Sequence, residues 1–404
     1  MSSGVVVSGM AIWSPYGRGL PSFWNGLLSN KSALSPICRF SVDSPIYRTK
    51  EAASIVALDK NPLGPGDGIS ELVETVTLDL LFDALLDNKT DISPYDIGVM
   101  VGSSQSTSSA FDEYVRFRLG QSSTLKTQSP NQWISSCNIL PHISALVGAK
   151  GPAMMISTAC ASATSAIGVG YDLIRSGRIR RAVVGGVGFY TDISFSGFNI
   201  LRLTAKHGCR PFDRDRDGMT LADGIGLLVL EEEGLALARQ AKIWGRITGY
   251  SCGNEAYHAT SPDPSGWPQM NVMWNALGRS RDRLNNLGYI NAHGTGTVAN
   301  DKAELLGIQS LLKNRQNDQK VKVSSTKGHH GHALGAAGSI ELIATILAMK
   351  SSTVPINLGL SNGETGFNDL DLVIDSPVVS KIQLAISNSF AFGGNIACIA
   401  VENA

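Results

Sequence analysis

No sign of charge dominates this chain. Its 404 residues carry 34 Lys and Arg against 34 Asp and Glu, a formal net charge of zero. That balance supplies no basic field for nucleic acid and none for an anionic membrane surface. The one short basic cluster, RSGRIRR at 175–181, reads as a solvated face. Cysteines are few: Cys38, Cys137, Cys160, Cys209, Cys252 and Cys398. None forms a CxxC pair, which argues against a disulfide framework or a structural zinc site. The first basic residue is Arg18, so the start does not read as a signal or transit peptide. The apolar helical stretch LIATILAMK, with Glu341 ahead of it, is too short to span a bilayer. There is no Walker A sequence, no strand followed by GxGxxG, no low-complexity tract and no repeat of 20 to 50 residues. These absences leave a chain expected in the cytoplasm, without membrane insertion and without a nucleic-acid partner.

What is present is an alternation. Hydrophobic residues make up 43% of the chain, enough for a large core. Short apolar runs read as strands: GVVVSGMAI, IGVMVG, AMMIST, RAVVGG, IGLLVLEE, YINAH, LDLVID and IQLAISNSF. Between them, ISELVETVTLDLLFDALLD and segments at about 301–313 and 333–349 have helical spacing. The alternation predicts an α/β protein with helices packed on sheet faces. A weak midpoint falls near AKIWGRITGYS, around residue 245.

Four segments carry residues capable of chemistry. In MMISTACASATSAIGVGYDLI, 154–174, a strand leads into Cys160 and a helix pattern begins at Ala161. A cysteine at a helix N-terminus meets free N–H groups and the positive end of the dipole, which favour the thiolate. The residue is either that nucleophile or an inert core cysteine. In NAHGTGTVANDKAE, 291–304, His293 ends a strand beside two glycines, where α/β folds place ligands. Thr295 and Thr297 share that loop, and Asp301 with Glu304 has the spacing of a capping box. In SSTKGHHGHALGAAGSIE, 324–341, three histidines suggest a metal, but no cysteine and no nearby carboxylate other than Glu341 completes a ligand set. The other reading has one histidine facing a pocket, with Lys327 supporting it. In SNSFAFGGNIACIAV, 387–401, a strand runs into a Phe-x-Phe-Gly-Gly turn that lets an N–H point into a site. DRDRDG, 213–218, resembles the start of a calcium loop, but the twelfth position is Gly224, so it reads as a charged surface turn.

TACASA, NAHGTGT, STKGHHGHALGAAG and NSFAFGG, in that order, resemble the β-ketoacyl synthases, the condensing enzymes of fatty acid and polyketide synthesis. VVVSGMAIWSPYG, FWNGLLSNKSAL, CRPFDRDRDG and GNEAYHATSPDP extend the resemblance over nearly the whole chain. It implies a thiolase fold, five layers α-β-α-β-α made of two similar halves. On this expectation residues 1–245 carry the nucleophile and 246–404 carry two catalytic histidines. The resemblance assigns Cys160 as acyl acceptor, and His293 and His332 as the pair that supports malonyl decarboxylation. Lys327 and Glu341 become the charged residues behind them. Phe392 becomes the gate, with Phe390 and Gly393 in the same turn, and its N–H joins that of Cys160 in an oxyanion hole. Thr295 and Thr297 hold the phosphopantetheine arm.

No bound cofactor or metal is implied, because acyl carrier protein brings the substrates. A homodimer, or a heterodimer with a chain-length-factor-like homologue, is expected. Chain-initiating synthases of this fold pair the cysteine with one histidine and one asparagine, and thiolases use a second cysteine near the C-terminus. Here the second position is His332 and Cys398 lies in a strand outside the Phe-Gly-Gly turn, which favours an elongating synthase. The alternatives are a non-catalytic chain-length-factor-like subunit and a thiolase-like enzyme acting on coenzyme A. The stretches SQSTSSAF at 104–111 and SPNQWISSCNILPHISALVG, with Trp133, Cys137 and His142, depart from housekeeping synthases. So does the shorter segment before CRPFDRDRDG. These departures lean toward a type II polyketide or aryl-polyene pathway.

Overall fold

The computed structural model describes residues 4–56, 67–86, 92–104, 119–120, 139–313, 315–317 and 319–404. Residues 105–111, Trp133 and Cys137 therefore lie outside the described residues, while His142 is exposed on a short helix, Ile139–Val147.

The first half comprises β1 (Val5–Ser14), α1 (Asp67–Asp83), β2 (Ile97–Gly102), β3 (Ala153–Ile156), α2 (Ser162–Arg175), β4 (Arg181–Gly188), α3 (Asp192–Ile200) and β5 (Gly224–Glu232). The second comprises β6 (Gly245–Asn254), α4 (Trp267–Ala276), β7 (Leu287–Asn291), α5 (Val298–Leu312), β8 (Lys322–Ser324), α6 (Ala337–Ser351), β9 (Leu384–Phe390) and β10 (Asn395–Glu402). The strand order is β3-β2-β4-β5-β1 in the first half and β8-β7-β9-β10-β6 in the second. The directions match as well. β3, β2 and β4 run parallel in the first half and β8, β7 and β9 in the second, and the remaining strands of these ten pair antiparallel. The two sheets meet where Val5–Val7 of β1 pair with Gly245–Ile247 of β6. One hydrogen-bonded path thus runs through both halves.

Sequence chemistry explains the layers. β2, β4 and nearly all of β5 are buried, as parallel or central strands covered on both faces should be. α2 and α6 pack on each other and on strands of both halves, so they form the middle layer. α6 is buried along Ala337–Met349, which its all-round apolar sequence allows. α1 with the 139–147 helix, and α4 with α5, cover the outer faces.

Several sequence readings are corrected. The apolar helical segment is longer than LIATILAMK. Leu334–Ser351 runs 18 residues, long and apolar enough to cross a membrane by composition, but it is almost wholly buried between the sheets. LDLVID is strand only at Asp371–Leu372. RSGRIRR is not all solvated: Arg181 is buried and pairs with Glu231 at 2.7 Å. DRDRDG is not simply a surface turn. Asp213 is buried and accepts N–H bonds from Ser361 and Asn362 at 2.8 and 2.9 Å. Arg216 is buried too and pairs with Glu364 at 2.5 Å.

Candidate active site

Cys160 lies in the turn between β3 and α2, two residues before the helix. Ala159 ahead of it has φ of 50°, a left-handed conformation that alanine adopts at a cost. The turn is fastened from below, where the Thr158 N–H donates to Ser162 Oγ at 2.9 Å. Ser162 Oγ in turn donates to the Ala159 carbonyl at 2.5 Å. Cys160 is partly exposed, and that exposure faces a cavity of about 360 Å³ which it lines together with His293 and His332. The dipole argument alone overstates the thiolate. Burial pushes the Cys160 thiol up to about 12, against the pull of the Lys327 ammonium, so the thiol is neutral at rest.

His293 follows β7, and its loop is built on a buried carboxylate. Glu304 accepts the N–H groups of His293 and Gly294, each at 2.8 Å, and the Asn388 side-chain amide at 3.1 Å. Burial pushes this carboxyl up to about 7 in spite of those donors. The capping-box reading of Asp301 and Glu304 is therefore replaced. α5 starts three residues earlier, with Thr297 at its N-cap, and neither carboxylate caps it. Asp301 instead accepts the N–H groups of Phe212 and Gly296 at 2.9 and 3.1 Å, which fixes the threonine loop. Thr295 and Thr297 place their hydroxyls 2.9 Å apart on the cavity wall.

Lys327 is fully buried. Its Nζ donates to the His293 carbonyl at 2.5 Å, meets His293 Nδ1 at 3.1 Å and forms an ion pair with Glu341. An ammonium can only donate, so Nδ1 accepts and the His293 proton sits on Nε2. Burial first, and the Lys327 charge second, hold His293 and His332 well below the ordinary histidine range. Both imidazoles are neutral. Their rings lie 5.3 Å apart, edge to face. Among the described residues, neither ring nitrogen of His332 has a hydrogen-bond partner.

The His332 turn is seated by its backbone, which bonds Thr220 and Ala222. It presses on β4, where a Cβ on Gly188 would lie 2.1 Å from the Ala333 carbonyl oxygen. His329 and His330 are buried but do not line the cavity, and His330 Nε2 meets Thr326 Oγ1 at 2.9 Å.

Beyond β9, the Phe390 ring is 6.1 Å from that of His293, and Phe392 faces Phe198 of α3 at 6.0 Å. Both phenylalanines line the cavity. Gly393 and Gly394 have φ of 77° and 73°, which makes the turn possible. The Gly393 N–H donates to the Ala259 carbonyl at 2.7 Å, so Gly393 holds the turn and is not a free donor. Asn254 Nδ2 donates to the Gly393 carbonyl at 2.8 Å, joining the turn to the 254–259 loop.

Sequence reasoning brought together Cys160, His293, His332, Lys327, Glu341, the threonines and both phenylalanines. It gave no role to Phe198 or Met219, two further wall residues, and misread Glu304 and Arg216. A carboxylate three positions into a helix has the same spacing whether it caps the helix or faces a neighbouring loop.

The chain matches the beta-ketoacyl synthase N-terminal domain over residues 67–236 and the C-terminal domain over residues 244–361, and it belongs to the β-ketoacyl synthase family. Among curated relatives, it is 33% identical to 3-oxoacyl-[acyl-carrier-protein] synthase 2 of Synechocystis, covering 98% of this chain and 97% of that one. It is 32% identical to the tetracenomycin polyketide synthase ketoacyl synthase alpha subunit of Streptomyces glaucescens, over 96% and 95%. Among solved structures, a beta-ketoacyl synthase from Burkholderia phymatum superposes with a TM-score of 0.86 at 26% identity, covering all of both chains. A type II polyketide synthase acyl-carrier protein in complex with its ketosynthase superposes with a TM-score of 0.89 at 24% identity, also over all of both chains. The fold is thus that of the ketosynthases, the thiolase fold.

Proposed function

We propose that this chain is an elongating β-ketoacyl-[acyl-carrier-protein] synthase, an acyltransferase that joins an acyl group on Cys160 to two carbons of malonyl carrier protein. The observation that carries the reading is one cavity lined by a thiol and two neutral imidazoles, with a buried ammonium fixing the tautomer of one. In the loading step Cys160 Sγ attacks the carrier thioester. A new C–S bond forms, the bond to the phosphopantetheine sulfur breaks, and the thiol proton ends on the departing sulfur. Because the thiol is neutral at rest, proton removal accompanies attack.

Malonyl carrier protein then occupies the cavity. Its C–C bond to the carboxylate breaks, carbon dioxide leaves, and the electron pair becomes an enolate. The Nε2–H of His293 and a ring N–H of His332 donate to the thioester oxygen as that charge develops. The enolate carbon attacks the Cys160 thioester, whose oxyanion takes the N–H groups of Cys160 and Phe392. Collapse expels the Cys160 thiolate, which takes a proton from water. Imidazolium would reverse this design, and the Lys327 charge opposes it.

Acyl carrier protein supplies both thioesters, and Thr295 with Thr297 takes the arm. No bound cofactor is required, since the carrier's arm holds every reacting group. The halves divide at residue 245, with Cys160 from the first and both histidines from the second. Ala153 and Met154 are exposed on β3, whose outer edge has no paired strand among the described residues. A second ketosynthase chain, identical or chain-length-factor-like, covers that edge. The likeness to a ketosynthase/chain length factor structure, 25% identical with a TM-score of 0.87, supports this assembly. On this reading the reaction is cytoplasmic. Cys398, which a thiolase reading would recruit, is buried in β10 and does not line the cavity.

The test is condensation itself, with acyl and malonyl carrier proteins as substrates. The 3-oxoacyl carrier and carbon dioxide should form, and His293→Ala and His332→Ala should each lower carbon dioxide release by roughly 10²–10³. No carbon dioxide from the wild type, alone or with a partner chain, would overturn the reading.

A further inference from the structure

Phe392 does not stand alone. Its ring rests against Phe198 on α3, and α3 is followed directly by Leu201, Arg202 and Leu203, which also line the cavity. The far side of α3 is gripped by two consecutive residues from a remote segment. Tyr47 Oη donates to Asp192 Oδ1 at 3.1 Å and meets Ser196 Oγ at 2.9 Å. Ser196 Oγ also donates to Asp192 Oδ1 at 3.2 Å, closing a triangle one turn long. The Tyr47 ring packs on Phe195 at 5.6 Å, in the same apolar cluster that receives Phe198. The Arg48 N–H donates to Asn199 Oδ1 at 2.8 Å, and its Nη1 donates to the Arg202 carbonyl at 2.6 Å. Both ends of a nine-residue helix are therefore tied to one dipeptide.

Resting on the ketosynthase reading above, we infer that Tyr47 and Arg48 form a positioning strap that sets how far α3 yields when an acyl chain presses on the Phe198–Phe392 wall. An acetyl group on Cys160 fits the existing cavity. A longer chain displaces one of the two rings, and moving Phe198 means moving α3 against the strap. The strap thus acts on chain-length preference in the loading step and leaves the chemistry at Cys160 alone.

The test compares rates of Cys160 acylation by acetyl and octanoyl carrier proteins, read by intact mass, in the wild type, Tyr47→Phe and Ser196→Ala. Tyr47→Phe keeps the ring and removes only the hydroxyl. The octanoyl-to-acetyl ratio is expected to rise by roughly three- to ten-fold, the worth of one hydrogen bond as a rate ratio, with acetyl loading unchanged. Ser196→Ala removes the other side of the same contact and should shift the ratio in the same direction, should Tyr47→Phe fold poorly. An unchanged or lowered ratio, or a parallel fall of both rates, overturns the strap. Absence of any wild-type loading overturns the ketosynthase reading and the strap with it, so the two failures are told apart.

Discussion

Replacing Lys327 by methionine removes the charge and keeps most of the volume. The side chain is fully buried, and its Nζ serves three acceptors on two elements: Glu341, the His293 carbonyl and His293 Nδ1. Two costs follow. Glu341, 1% exposed, loses its counter-charge. Burial already pushes that carboxyl up to about 7 with Lys327 beside it, and losing the ammonium raises it further. Breaking a buried pair by removing one partner costs ~3–5 kcal/mol. The sign with pH is fixed. The variant's Glu341 has a folded pKa above its unfolded value, so its stability is full in acid and falls as pH rises. The wild-type carboxyl loses stability in the same way up to about pH 7, so the Tm deficit against wild type should widen only above about pH 7.

The second cost is catalytic. Without the donor on Nδ1 the His293 proton is no longer held on Nε2, and the charge opposing imidazolium is gone. Carbon dioxide release should fall by roughly 10²-fold or more, with the acid limb of its pH profile moving to higher pH. Thermal unfolding and carbon dioxide release across pH 5–8 measure both effects. Wild-type turnover with an unmoved acid limb would refute the assigned role of Lys327.

Other outcomes are expected. Glu304→Gln turns one acceptor oxygen into a donor facing backbone N–H groups, and denaturant unfolding should register a loss of about 1–3 kcal/mol. Thr295→Val should raise the KM for carrier-borne thioesters roughly three- to ten-fold with kcat nearly unchanged, and an unaltered KM would count against arm binding. Gly188→Ala drives a Cβ into the Ala333 carbonyl that supports the His332 turn. It should destabilise by at least ~1–3 kcal/mol in thermal melts. Alkylation of resting Cys160 by iodoacetamide should climb steadily from pH 7 to pH 10, as a thiol held near 12 requires, and a plateau with an inflection below pH 8 would contradict it.

Local pattern carried much of this molecule. Period and length exposed the strands, because buried parallel strands read as continuous apolar runs. Cys160, His293 and the Phe-x-Phe-Gly-Gly turn stood out because each sits at the end of a strand or in a tight turn that the sequence punctuates with small residues, whereas His332 was picked from its neighbours only by the resemblance to the β-ketoacyl synthases. What escaped depends on contacts between distant segments. Asp213 and Arg216 have the composition of a surface turn, and only their partners around 297–301 and 361–364 draw them inside. The thiol's neutral resting state likewise reflects burial by both halves, which no helix N-terminus reveals by itself. Tyr47 carries no local signal at all, since its partners lie about 150 positions away.

The central claim is that Cys160 receives the acyl group. Intact-protein mass spectrometry after mixing the chain with a panel of acyl carrier proteins tests it most directly, beside a Cys160→Ala control. The account predicts one acyl adduct on the wild type and none on the variant. An adduct of equal yield on Cys160→Ala, or none on the wild type with any primer and with a partner chain present, would contradict it.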